Sequence, residues 1–149
     1  MITMKIKDVF FDRSAVLDRL DAARVKVLSK QGAFVRTAAR TSIRKRKGTS
    51  SPGNPPFSHE GSLRRLILFG YEGSSESVIV GPVGFEGSDT PAALEHGGPS
   101  TRTFWSKKNG RLAKKRVQIR PRPFMLPALE REKSKMPDLF KDALTRGAP

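Results

Sequence analysis

The sequence predicts an α+β fold in a single domain spanning residues 1–149. A long N-terminal helix packs on a small antiparallel sheet, with a C-terminal helix and an extended basic hairpin arm. Three observations predict it. From Ala15 to about Lys45 the apolar residues recur mostly at steps of three and four, the period of one helix face. Two β-prone runs, Leu63–Tyr71 and Val78–Val80, flank the turn-like Glu72–Ser77. Two more strand-like segments flank a basic connector that contains Asn109-Gly110, a strong two-residue turn signal.

In chain order, Ile2–Phe11 alternates loosely and suits a short strand, after which Asp12 or Ser14 can cap a helix. Leu17, Leu20, Ala23, Val27, Phe34 and Ala38 form the helix's inward stripe, widened by Leu28, Val35, Ala39 and Ile43. At a 1.5 Å rise, ~30 residues make a rod roughly 45 Å long. Gly32 interrupts it at a cost of about 1 kcal/mol relative to Ala and is expected to mark a bend. Gly48–Glu60 holds three prolines, two glycines and three serines and reads as a loop, ordered where Phe57 pins it. Leu63–Tyr71 opens as a helical turn and continues as a strand, pairing with Val78–Val80 against the helix.

Thr90 is expected to cap a short helix with Pro91 at its first position, stopped by His96-Gly97-Gly98-Pro99. Thr101–Trp105 and Val117–Arg120 read as strands joined by Ser106–Arg116, and the whole arm occupies residues 101–123. Phe124 then begins a helix to about Arg146, with Phe124, Leu126, Leu129, Leu139, Phe140 and Leu144 inward. Pro127 fits its first turn, and Pro137 breaks or kinks it.

The charge is concentrated. The 149 residues carry 29 Lys+Arg against 14 Asp+Glu, a net +15. Arg36, Arg40, Arg44, Lys45, Arg46 and Lys47 form one acid-free block, expected on the last three turns of the long helix. Arg102, Lys107, Lys108, Arg111, Lys114, Lys115, Arg116, Arg120 and Arg122 form a second, on the arm. These fifteen residues account for the whole excess, so a charge-balanced body carries two cationic patches. Such patches suit DNA or an acidic neighbouring protein. There is no cysteine, which suits a reducing cytoplasm, no apolar run near the ~20 residues of a membrane helix, and no signal-peptide pattern in Met1–Asp12. A membrane partner is not expected.

Catalytic readings find little. His59-Glu60 and Glu95-His96 could supply metal ligands for a nuclease, but adjacent residues diverge and no spaced carboxylate cluster accompanies them. The glycines of Gly81–Gly87 match no phosphate-binding loop. No cofactor, metal or catalytic residue is therefore expected, and the chain does not read as an enzyme. The candidate contacts to DNA or an acidic partner are Arg36, Arg40, Arg44, Lys45, Arg46 and Lys47, with Lys107, Lys108, Arg111, Lys114, Lys115 and Arg116. Phe104 and Trp105 at the base of the hairpin could stack on a base. The Pro-rich loop and the arm are too long to bury their backbones in one small domain, which points to ordering by a neighbouring subunit.

Three segments carry a resemblance. They are Gly61-Ser62-Leu63-Arg64-Arg65-Leu66-Ile67; Val78-Ile79-Val80-Gly81-Pro82 with Leu94-Glu95-His96-Gly97; and Arg120-Pro121-Arg122-Pro123-Phe124-Met125-Leu126-Pro127-Ala128-Leu129. Their order, over about Ala15 to Leu144, resembles the tail-component family of long-tailed bacteriophages, which includes minor tail protein Z-like and tail-completion proteins. The match departs at Thr90-Pro91-Ala92-Ala93, where the family has an aromatic, and at Gly98, where it has Thr. The resemblance implies a non-enzymatic virion protein of the head–tail junction, made in the host cytoplasm. It would form a homo-oligomeric ring, sixfold in expectation, that completes the tail or neck and joins it to the DNA-filled head. Other neck and tail proteins are its implied partners, with non-specific contact to phage DNA. Phe57, Trp105, Arg120, Arg122 and Phe124 are the expected subunit-interface residues, Arg122 being held outward between two prolines. A free-standing, non-specific DNA-binding protein is the alternative.

Overall fold

In a computed structural model of the protein, residues 12–85, 88–107 and 110–146 are described. The Ile2–Phe11 strand expectation lies outside them. The fold is α+β, as the periodicities predict. A 30-residue helix, α1 (Arg13–Ser42), is followed by one turn of helix, α2 (Ser62–Arg65), and the hairpin β1 (Ile67–Glu72) and β2 (Ser77–Pro82). Then come α3 (Thr90–His96), the arm strands β3 (Gly98–Ser106) and β4 (Arg111–Ile119), and two helices, α4 (Leu126–Lys133) and α5 (Met136–Arg146). The strands make two separate antiparallel pairs, β1–β2 and β3–β4.

Asp12 caps α1: its carboxylate accepts the Ala15 N–H at 3.1 Å and the Ser14 hydroxyl at 2.8 Å. The helix ends at Ser42, three residues before Lys45, so Arg44–Lys47 lie beyond it and only Arg36 and Arg40 of that block are helical. Leu17 and Leu20 are exposed, contrary to the stripe. The reason is length. The β1–β2 hairpin and α4 pack on the second half of α1, while α5 lies along the first half and leaves a groove there beside Leu20 and Leu144. The core is therefore built from Val35, Ala38 and Ala39 of α1 and Ile43 just after it, with Leu63, Ile67, Phe124 and Ala128.

α1 runs unbroken through Gly32. A Cβ there would lie 2.4 Å from Val78 Cγ1 and 3.0 Å from Phe69 Cδ2, so the glycine admits the hairpin against α1. Gly32→Ala gains about 1 kcal/mol of helix propensity. It must displace a stiff β-branched side chain, and overpacking of this kind costs about 1–3 kcal/mol. A net loss of stability is expected, read as a lower urea midpoint with an unchanged slope. At the other end of this hairpin Arg24 grips Glu76 and, at 2.9 Å, Asp21, fastening the turn to α1.

The helix expected from Phe124 to Arg146 is two helices. Pro127 stands in the first turn of α4, while Pro137 sits in the first turn of α5, where a missing N–H costs nothing. Leu126, Leu129 and Leu144 are exposed rather than inward, and Ala128 and Glu132 take the buried face of α4. The short helix α3 begins one residue earlier than expected, with Asp89 as its cap position and Pro91 second in the helix.

Candidate interaction surface

The arm is longer than the two short strands its termini suggest. β3 and β4 pair from Gly98↔Ile119 to Ser106↔Arg111, taking in most of the connector as strand. Nine residues at about 3.3 Å each give a ribbon roughly 30 Å long. Asn109 of the expected Asn109-Gly110 turn lies outside the described residues. The alternation fixes two faces. One carries Trp105 beside Leu112, Thr103 beside Lys114 and Thr101 beside Arg116; the other carries Phe104 beside Ala113 and Arg102 beside Lys115. Ser100, on the second face at the foot, is buried where α3 packs against β3.

Toward the tip the arm is exposed on both faces. Trp105 is 61% exposed and Leu112 67%. Lys107, Arg111, Lys114, Lys115 and Arg116 are exposed, and none of them is paired with a carboxylate among the described residues. Lys108 lies outside the described residues. Arg102 directly opposes Lys115, a like-charge pair that weakens a hairpin. A ribbon with little apolar cover is marginal by itself, and opposed cations make it more so.

The first cationic block divides. Arg36 turns inward, its Nε donating to the Ile67 carbonyl at 3.1 Å, so it clamps α1 to β1. Arg40 is half-buried on the last turn of the helix. Arg44, Lys45, Arg46 and Lys47 are exposed on the segment that leads into the Pro-rich loop. That loop is ordered by its own chain, contrary to expectation. The Ser58 N–H donates to the Arg44 carbonyl at 3.0 Å, the Gly53 N–H to the Pro121 carbonyl at 2.9 Å, and Arg122 Nε to the Ser50 carbonyl at 2.9 Å. Phe57 is half-buried under the Arg46 guanidinium, 5.6 Å away. The loop thus joins the end of α1 to the foot of the arm.

Two expected interface residues are corrected. Phe124 is 1% exposed and belongs to this chain's own core. Arg122 is not held outward: besides Ser50 it donates to the Arg120 carbonyl at 3.0 Å, and its side chain is spent on the loop. Arg120 and Trp105 remain exposed, and Phe57 is half-buried.

One member of each histidine–glutamate pair has a structural partner. His59 Nε2 is 2.7 Å from the Gly48 carbonyl. Glu95 accepts three backbone N–H groups, from Phe124 at 2.9 Å, Met125 at 3.0 Å and Leu126 at 2.8 Å. It supplies the cap that Met125, at the cap position of α4, has no side chain to give. The Leu94 carbonyl accepts the Arg122 N–H at 2.6 Å. Gly97 ends α3 at φ 78°, ψ 173°, a region open in practice to glycine alone, and a Cβ there would lie 3.0 Å from Pro121 Cδ. The Glu95–Gly97 turn and the Pro121–Leu129 segment are therefore two halves of one joint. Sequence reasoning missed it because Glu95 and its partners are 29 to 31 residues apart with no local capping pattern. Among the described residues no group of three or more His, Asp or Glu could hold a metal ion.

Glu132, 4% exposed at the end of α4, accepts Lys135 Nζ at 2.5 Å and Arg131 Nε at 3.0 Å, and its carbonyl accepts Gln31 Nε2 at 2.7 Å. The Lys135 hydrogen bond, aided by Arg131 and opposed by burial, lowers the carboxyl below its ordinary 4.5. A lowered carboxyl stabilises the fold fully above that value and progressively less as pH falls through the folded pKa. Glu132→Gln is accordingly expected to flatten the loss of stability below pH 4.5, measured by urea unfolding across the acid range.

Among the described residues no helix is long and apolar enough to cross a membrane. No family model, curated protein or solved structure matches the chain.

Proposed function

We propose that the chain is a structural protein of the neck of a long-tailed bacteriophage, assembling as a homo-oligomeric ring that completes the tail and joins it to the DNA-filled head. The observation that carries this reading is the arm. It extends roughly 30 Å, opposes like charges across its strands and exposes Trp105 and Leu112. Burying those side chains against an acidic surface would remove both penalties at once, and a neighbouring subunit or neck protein is the partner that the segment order favours. The Glu95–Gly97 joint supports the same reading, because it gives the quoted segments a shared architectural task. The protein acts without chemistry of its own, in the virion and, during assembly, in the host cytoplasm.

The test is the state of the full chain in solution and its position in particles. Multimers by light scattering, or co-purification with neck and tail proteins, are expected. Neutralising Lys107, Lys108, Arg111, Lys114, Lys115 and Arg116 together should leave the circular dichroism spectrum intact while weakening assembly at least tenfold. A monomer that binds duplex DNA, with affinity falling steeply as salt rises, would instead favour the non-specific DNA-binding protein that the unpaired cations beside Trp105 also suit.

A further inference from the structure

We infer that the cleft between the end of α1 and the Pro-rich loop is a binding site for a phosphate group. The cleft has a volume of about 470 Å³ and is lined by Arg44, Arg46, Ser50, Ser51, Asn54 and Phe57, among others, none of them acidic. That leaves room for a phosphate and its hydration, a water occupying about 30 Å³. Ser50 is 6% exposed, and its Oγ is buried without a hydrogen-bond partner. A buried hydroxyl with no partner is costly, and a turn about its one side-chain torsion would bring it to a ligand oxygen at this wall and satisfy it.

The rest of the lining is built for the same chemistry. Arg46 lies over the Phe57 ring, its guanidinium carbon 5.6 Å from the centroid, a contact that leaves the N–H groups free to meet an acceptor. The Asn54 N–H donates to the Ser51 carbonyl at 3.2 Å, closing a turn that sets both side chains on the wall. Arg122 fastens that wall from behind through the Ser50 carbonyl, 2.9 Å from its Nε. Among the described residues, the side chains of Arg44, Ser51 and Asn54 make no hydrogen bond within the chain. The end of α1 contributes about −0.5 charge at close range, which opposes an anion. Two full guanidinium charges outweigh it, with Arg40 behind them in the last turn. A phosphate can take two parallel N–H bonds from a guanidinium and one from a hydroxyl.

This goes beyond the assembly role, which the arm carries and which needs no ligand in the cleft. The shared chemistry is the phosphate oxygen, from a nucleic-acid backbone or the free ion. Amide shifts of the full chain are followed during titration with inorganic phosphate and, separately, with a short DNA duplex. Saturable shifts at Arg44–Asn54 are expected in at least one titration; in both they assign a site open to the free ion, and with the duplex alone they assign a backbone phosphate. Ser50→Ala should weaken binding about tenfold without lowering the urea midpoint, since it removes an unsatisfied group. Arg44→Gln with Arg46→Gln should weaken it further and reduce the salt slope for duplex by about 2. Equal affinity in these variants and the parent overturns the site, as do shifts confined to the arm or no saturable shift with either probe. Failure here leaves the assembly test untouched, because that test reads multimers and not phosphate.

Discussion

Phe124→Ala lowers the stability of the isolated chain by about 3–5 kcal/mol, a loss on the scale of removing a fully buried aromatic ring. The ring is 1% exposed and closes the core between α1, α2 and α4 beside Ile43 and Ile67, both completely buried. The neighbours are held in place: Ile67 through the Arg36 clamp on its carbonyl, and the residues after Phe124 through Glu95. Little of the cavity can collapse, which places the cost toward the upper part of the range. Urea unfolding of monomeric protein checks it. An interface residue would behave differently, leaving the monomer's midpoint unchanged and removing only the multimer. Phe124→Leu, which keeps most of the volume, should recover more than half of the loss.

Glu95→Ala is expected to cost about 2–4 kcal/mol. A hydrogen bond to a charged group contributes about 1.5–3 kcal/mol, but the three N–H groups share one carboxylate and their contributions do not add. The change strips the N-terminus of α4 of its cap and of the negative charge that complements its dipole. Glu95→Gln keeps one acceptor oxygen and sets an NH₂ group against the remaining donors, so about half the loss is expected. Hydrogen exchange separates this from general destabilisation: the amides of Phe124, Met125 and Leu126 should exchange faster than those of β1 and β2. Unchanged protection at those three amides would mean that the carboxylate does not hold them in solution.

The elements that sequence pattern exposed are those with local causes. The α1 cap, the α2–β1 transition and the β1–β2 hairpin all follow from neighbouring residues, whereas the start of α4 rests on the distant Glu95. Periodicity overreached at Leu17 and Leu20 because an amphipathic stripe says which face is apolar, not how far the partner elements extend along it. It could not show what Gly32 admits, since close approach by Val78 and Phe69 is a tertiary fact. At the candidate surface, charge runs identified the arm, while the strand-by-strand register that sets Trp105 beside Leu112 and Arg102 against Lys115 needed the structure. Arg36 and Arg122 show why a charge count misleads. A guanidinium can be consumed by backbone carbonyls, and nothing in its immediate sequence marks that use.

The joint at Glu95, Gly97 and Pro121 sets where selection and engineering can act. Among the described residues, the contacts that orient the arm lie at its foot, and the ribbon beyond Thr101 contributes no side chain to the core. The outer ribbon is thus a replaceable cassette on a fixed socket. Its length and charge can be changed without renegotiating the fold, whereas a single methyl at Gly97 would press on Pro121 and disturb the ribbon's seat.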